Sequence, residues 1–493
     1  MFRQFDSPAK KSECGSCGNQ LTPSRFVVAC ERGHLDEFPY WQWVHAGKPI
    51  GESVEKHRLS IRTTGRTAAL RSIIVSCSCG KESSMEGAFG PGAMKSIKYS
   101  CKGGRPWLGR SSETGCVTDT RTLQRGSSAA WFAVVRSALS IPPFSQKLHD
   151  DIAPHIVMWK GEDDALIGRQ AENVGLVPYP YMAADVVQAV RDVEQYEAGD
   201  RDDPAALTGF EAGTQLRVEE FKQLCHEVDT QNFECVAPTS DPSTTLPNQL
   251  AQVMLVKRLR EVRALQSFTR VRPPTQGDEK ERLAPLSEAR LDWLPGIEVV
   301  GEGVFLRLDE SALGEWENPD RPHSPEPRAQ RIRRHHERAL AGRSAVETES
   351  PVSARFVLLH TLAHALITEW SLEAGYPASA LRERLYVSDE MAGVLIYTAT
   401  SDSAGSLGGL VSQGEPAKLT RSLRSALRRI SWCSADPLCM EADAAGTDSL
   451  NLAACHACVL LPETSCENNN TFLDRAMVIG TPDGRSSGFF SAC

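Results

Sequence analysis

Residues 433–466 read CSADPLCMEADAAGTDSLNLAACHACVLLPETSC and space five cysteines as Cys433-x5-Cys439-x15-Cys455-x2-Cys458-x7-Cys466. A Cys-x-x-Cys turn folds two thiolates toward one point, and zinc asks for four soft ligands in a tetrahedron, about 2.3 Å from each sulfur. Cys455 and Cys458 supply two of them, and the flanking segments supply the rest. Five cysteines compete for four positions: the expected set is Cys439, Cys455, Cys458 and Cys466, with Cys433 as the substitute for Cys439. His456 is a further donor, but it lies between the paired cysteines, where a side chain more often points away. Four thiolates close a site, so this one is expected to be structural and to add folding energy rather than to catalyse.

Working outward, the chain holds 15 cysteines. The odd count, with no apolar leader among the first residues, argues against a disulfide framework and for a reducing, cytoplasmic setting. Two further groups lie near the N-terminus: Cys14-x2-Cys17-x12-Cys30-x3-His34, with His45 as a rival to His34, and Cys77-x-Cys79-x21-Cys101-x14-Cys116. Spacing does not exclude that these two groups exchange ligands. Together with the C-terminal set they predict one to three structural Zn2+ ions. Cys225, Cys235 and Cys493 stand outside every group and read as buried or free thiols. No H-x-E precedes a P-C-x-x-C, so the general-base arrangement of zinc deaminases is missing.

The 493 residues are too many for one ordinary core. The pattern predicts an α+β, multidomain chain: a zinc-stabilised, β-rich unit over 1–145, a mixed, mostly helical middle over 146–350, and a C-terminal zinc domain over 351–493. Helices are expected at Arg121–Ser140, Ala183–Ala198, Asn248–Gln266, Arg331–Arg338, Ser353–Trp370 and Lys418–Ile430. A strand pair around a glycine turn is expected over Trp293–Leu308, and another around Asp389. No apolar run is long enough for a membrane span.

The net charge is −9, which alone opposes generic nucleic-acid binding. Its distribution differs: residues 1–150 hold 21 Lys and Arg against 12 Asp and Glu, so the remainder carries −18. A basic third on an acidic body suits a face that meets phosphate. Arg125, Lys257, Arg258, Arg333 and Arg334 are the expected phosphate contacts, set against the plainer reading of solvated faces paired with acids. No GxxxxGK[ST] and no GxSxG occurs, so neither a P-loop nor a nucleophile elbow is expected. His360 and His364 share one helix face, but the segment reads HTLAHAL and lacks the glutamate of a helical zinc protease. Two core histidines is the favoured reading; a metal-dependent hydrolase or nuclease built on this pair is the alternative. The Gly/Ser-rich stretch 401–409, with Asp402, Gly405, Gly408 and Gly409, reads as a loop.

Ala454–Ala476 (ACHACVLLPETSCENNNTFLDRA) with Ser434–Cys439 resembles the MrfA-type zinc-binding domain of bacterial DNA helicases. FVVACERGHLDEFPYWQWVH (Phe26–His45), GGRPWLG (Gly103–Gly109), LQRGSSAAWF (Leu123–Phe132), VKRLREVRAL (Val256–Leu265), WLPGIEVVGEGVFL (Trp293–Leu306), LLHTLAHALI (Leu358–Ile367) and YTATSDSAGSLGGL (Tyr397–Leu410) extend the likeness over nearly the whole chain. Together these segments resemble the DrmB family, the helicase-partner subunits of the DISARM anti-phage defence system. The resemblance implies a non-catalytic accessory subunit that pairs with a DrmA-type helicase supplied by a separate chain. The two would share DNA, with ATP hydrolysis on the helicase. The sequence departs from the family pattern at Ser127–Ala130 and at Ser267, where a glycine is usual. A free-standing DNA-binding adaptor is the other class this composition allows.

Overall fold

The computed structural model describes residues 13, 18–46, 57–65, 69–109, 113–142, 147–199, 209–239, 246–274, 282–289, 291, 293–341, 350–398, 408–446, 449–484 and 488–491. Cys14, Cys17, Asp402, Gly405 and Cys493 lie outside them. Helices and sheets are mixed, and the N-terminal region is β-rich. The chain divides into two compact units, Met1–Arg136 with Ala264–Gly296, and Ser137–Arg263 with Ile297–Cys493.

The first unit carries strands β1 (Phe26–Cys30), β2 (Leu35–Glu37), β3 (Leu59–Thr63), β4 (Ile73–Cys77), β5 (Glu82–Ser84) and β6 (Thr120–Gln124) and short helices α1 (Tyr40–Val44) and α2 (Ala93–Ser96). They form two three-stranded sheets, β2–β1–β6 and β3–β4–β5. Phe26, Val28, Val75, Met85 and Met94 form a core between them. The helix expected over Arg121–Ser140 is instead β6 followed by β7 (Phe132–Leu139). Its two halves are split at Arg125–Ser127, and the Thr, Phe and Val residues of each half favour the extended chain.

The second unit is built on a seven-stranded sheet, ordered β12–β13–β11–β10–β9–β8, with β7 also pairing β10. Its further strands are β8 (Val228–Asp229), β9 (Glu234–Val236), β10 (Leu250–Thr269), β11 (Gly296–Leu308), β12 (Leu381–Val387) and β13 (Ala392–Thr398). Helices α3 (Lys147–Ile152), α4 (Ile156–Trp159), α5 (Asp164–Asn173), α6 (Ala183–Gly199), α7 (Gly209–Leu224), α8 (Glu310–Glu317), α9 (Glu326–Ala341), α10 (Ala354–Ala374), α11 (Pro416–Ile430) and α12 (Ala476–Ile479) complete it.

Both faces of this sheet are buried, and the two-residue period of a strand sends alternate side chains to separate cores. Val304, Leu306, Val394, Ile396 and Leu385 pack with α10. Phe305, Leu395, Tyr397 and Tyr386 face the other core with Met254 and Val256. The same geometry explains two departures from expectation. Asn248–Gln266 is rich in helix formers, yet it is strand β10, because a strand buried on both faces loses its polar alternation and cannot be told from a helix by pattern. Trp293–Leu308 holds one long strand, not two around a glycine turn. Gly301 and Gly303 serve close approach instead: a Cβ at Gly301 would lie 2.4 Å from Thr398 Oγ1, and one at Gly303 would lie 2.7 Å from the Ile396 carbonyl oxygen.

Helix α10 starts where the Ser353 hydroxyl accepts from the Phe356 amide and stops at Gly375 in the left-handed region, φ 76°. It is buried along nearly its whole length, against the sheet on one side and α11 and α12 on others. Its apolar sequence follows from this position and carries no membrane meaning: no described helix is long and apolar enough to cross a membrane.

Candidate metal centres

Four sets of ligand-type side chains converge among the described residues. In the second unit, Cys433, Cys439, Cys455 and Cys458 form one. The Cys455–Cys458 turn closes with the Cys458 amide donating to the Cys455 carbonyl at 3.1 Å. The sulfurs lie 3.5 Å (Cys433–Cys455), 3.7 Å (Cys455–Cys458) and 3.8 Å (Cys439–Cys458) apart. A tetrahedron with bonds of about 2.3 Å has edges of about 3.8 Å, so the donor set fits a zinc ion. Amides of Ala435 and Cys455 point at Cys433 Sγ and Cys458 Sγ at 3.4 and 3.2 Å, as hydrogen bonds to thiolates do. The fully buried Arg475 lies beside the set, bonded to Asp436 and to the Ile430 carbonyl. Burial alone would lower its pKa; Asp436, with Cys439 and Cys458, raises it instead. Burial also pushes the Cys458 thiol up to about 12.

Cys466, expected in that set, stands in another. His360 and His364 from α10, Glu383 from β12 and Cys466 bring their donor atoms within 4.8 Å of one another. All four side chains are buried. His360 Nε2 is 3.0 Å from Glu383 Oε1 and 3.1 Å from Cys466 Sγ, and His364 Nε2 is 3.5 Å from Glu383 Oε2. His364 Nδ1 meets the Val459 carbonyl oxygen at 2.7 Å. Amides of Asn468 and Asn470 donate to Cys466 Sγ at 3.3 and 3.2 Å. Burial would raise the Glu383 carboxyl, but the two imidazoles hold it below the usual range; burial and Glu383 push Cys466 well up.

In the first unit the two N-terminal groups interleave. Cys30, at the end of β1, and His34, in the turn before β2, meet Cys101 and Cys116. Gly33, at φ 78°, makes that turn, and the Cys30 amide returns to the His34 carbonyl. His34 Nδ1 is 3.4 Å from Cys30 Sγ and 3.5 Å from Cys101 Sγ, while its Nε2 meets Glu113 at 3.2 Å. A carboxylate on the far nitrogen is the usual support of a metal-bound histidine. The neighbouring Cys30 thiol lowers the Cys101 pKa.

Cys77 and Cys79 instead meet His45 and His57. His57 Nδ1 lies 3.2 Å from Cys77 Sγ and His45 Nε2 lies 3.4 Å from Cys79 Sγ, with His45 Nδ1 fixed on the Trp41 carbonyl at 2.9 Å. The Lys81 amide and then His45 lower Cys79 to about 7. Sequence reading weighed His45 only as a rival ligand and missed His57, which no nearby cysteine marks.

Of the expected phosphate contacts, Arg125, Lys257 and Arg334 are exposed. Lys257 and Arg258 both reach Glu234, at 3.6 and 3.3 Å, and Arg258 also reaches Asp229. Arg333 pairs with Glu326 at 3.3 Å.

A two-unit chain that gathers cysteine- and histidine-rich tetrads in each unit has the donor sets of a metal-binding protein. Its residues 362–459 match the MrfA Zn-binding domain, a span that contains all four cysteines of the 433–458 set, and residues 1–132 match a domain of unknown function, DUF8724. Over 492 residues, 97% of this chain and 84% of the relative, it is 31% identical to the DISARM protein DrmB of Bacillus paralicheniformis. The chain belongs to the DrmB family. The crystal structure of the DUF1998 helicase MrfA bound to DNA is also similar, at 11% identity over 45% of this chain and 23% of that one, with a TM-score of 0.22. That overlap is too low to carry an argument.

Proposed function

We propose that this chain is a non-catalytic accessory subunit of a DrmA-type helicase in anti-phage defence, acting in the cytoplasm. It docks on the motor, completes a DNA-binding channel and modulates ATP-driven engagement of DNA. The observation that carries this reading is the likeness to a DISARM protein along nearly the whole chain, with the four-cysteine set inside the span matched by a helicase's zinc-binding domain. Cys433, Cys439, Cys455 and Cys458 hold one Zn2+; Cys30, His34, Cys101 and Cys116 hold a second; His45, His57, Cys77 and Cys79 hold a third. In each, zinc cross-links segments remote in sequence and adds folding energy to their packing. The basic N-terminal third, with Arg125 exposed, and the exposed Arg334 supply phosphate contacts. The hydrolase reading of His360 and His364 is weakened by their burial and by two further donors that leave no open position.

The test is co-expression with a DrmA-type helicase, followed by sizing and DNA-stimulated ATPase assays with and without this chain. Co-elution with altered ATPase is the expected result. A protein that elutes alone and still binds DNA, with affinity falling steeply in salt, would replace this reading with that of a free-standing adaptor.

A further inference from the structure

We infer that His360, His364, Glu383 and Cys466 form a fourth, closed zinc site in the core of the second unit, separate from the four-cysteine set. Such a site would be present whether or not the chain serves a helicase. His364 is the first sign of it. The Val459 carbonyl can only accept, so the hydrogen of a neutral His364 sits on Nδ1, and its Nε2 presents a bare lone pair. That lone pair faces Glu383 Oε2 at 3.5 Å, and neither atom has a hydrogen-bond partner. Glu383 Oε1 lacks one too, although His360 Nε2 is 3.0 Å away. The atoms converge on a common point instead of lining up along N–H directions.

A buried carboxylate with no well-aligned hydrogen bond among the described residues, facing an imidazole lone pair and a thiol, is a costly arrangement unless a cation sits among them. A divalent ion resolves it. Two neutral imidazoles, one carboxylate and one thiolate around M2+ give a neutral centre, the only kind cheap to bury completely. Bonds of about 2.0 Å to nitrogen and oxygen and about 2.3 Å to sulfur give edges of about 3.3–3.6 Å, close to the separations present. Mixed imidazole, carboxylate and thiolate donors in a tetrahedral set favour zinc over magnesium or calcium, which prefer oxygen. The supports of a metal site are also in place: a carbonyl on the far nitrogen of His364 and two amides on the Cys466 sulfur. The ion ties α10 to β12 and to the segment around Cys466, where the Glu383 amide already reaches the Ser465 carbonyl and the Leu385 amide reaches Glu467.

The deciding experiment is an anomalous difference map at the zinc edge from crystals of the unaltered full-length protein grown with zinc in excess over the four candidate sets per chain and no chelator. A peak among His360, His364, Glu383 and Cys466 is expected. Metal analysis of purified His364→Asn should then show one zinc fewer per chain, with the peak at Cys433–Cys458 retained. A map with no peak in the buried set, whatever the other sets show, overturns the proposal and leaves a hydrogen-bonded core. That outcome needs no variant, so a His364→Asn chain that fails to fold does not blunt the test.

Discussion

The four-cysteine set and the His360–His364–Glu383–Cys466 set share one unit and draw on one stretch of chain, yet they suit opposite surroundings. The first is partly open: Cys455 and Cys458 are only half-buried. Four thiolates around Zn2+ leave a net double negative charge, which water and the amides of Ala435 and Cys455 screen. The second has every ligand buried, and its donors are two anionic and two neutral, so the filled site carries no net charge. Burial thus dictates ligand type. Where water reaches, soft thiolates of any charge suffice; where it does not, the charges must cancel within the centre.

The largest effect expected from breaking this contrast comes from Cys466→Ala. It removes one of two buried anions and leaves Glu383 facing two imidazoles without its ion. Loss of one member of a fully buried charged set costs about 3–5 kcal/mol, before the folding energy of the metal is counted. The expected readout is a global loss of stability in denaturant titration, or failure to accumulate as soluble protein. A near-unchanged midpoint would show that the buried set is ordinary core.

A metal-free control lies one residue away. Glu383 and Arg384 are consecutive on β12 and therefore face opposite sides of the sheet. Arg384 is neutralised by protein alone: two bonds of 2.6 Å to Glu220, with Ser137 Oγ at 2.7 Å and Tyr386 also donating to Glu220. Burial would lower the Arg384 pKa, but Glu220 holds it well above its ordinary value. Arg384→Ala leaves Glu220 buried without its cation and is expected to cost about 3–5 kcal/mol, with no change in zinc content. Loss of zinc with this variant would mean that the two faces are coupled. Cys455→Ser is expected to act less widely. Its remaining thiols can become neutral and meet water, so the cost sits near the top of the ordinary range, about 3 kcal/mol. Hydrogen exchange should then open 433–458 while α10 keeps its protection.

The same contrast explains what the sequence made legible. A Cys-x-x-Cys turn is a local object, and Cys455, Cys458 and their flanking cysteines stand out from spacing alone. Spacing did not place Cys466, because β12 and α10 bring it to His360 and Glu383 through contacts remote in sequence. Glu383 itself left one weak signal: a carboxylate inside an apolar strand, LRERLYV, where half the positions must be buried. Helices α6 and α11 were legible from a local apolar period, and α10 from its unbroken apolar run with Ser353 at one end and Gly375 at the other. Strand β10 was not, since burial on both faces erases alternation and its Leu, Lys, Arg and Gln residues are good helix formers. The interleaving of the N-terminal groups was open from spacing, and only the turn of Cys30–His34 and the knuckle at Cys77–Gly80 resolve which sulfurs meet.

The smallest stability effect, and the one that separates folding chemistry from function, is expected at the cationic residues. Lys257 and Arg258 are engaged by Glu234, so the basic run on β10 is largely neutralised by the sheet's own acids. Arg334, on α9, is exposed and its Nε reaches the Gln330 carbonyl one turn back at 3.4 Å. Arg334→Ala touches neither a metal set nor a buried pair, so stability should change by no more than about 0.5 kcal/mol. If this arginine meets a phosphate in the helicase complex, the variant complex should bind all DNA sequences more weakly. The slope of log affinity against log salt should fall by about 1. An unchanged slope would remove Arg334 from the DNA path and leave the exposed Arg125, in the basic first unit, as the better place to look, because its surroundings carry the positive balance that the rest of the chain lacks.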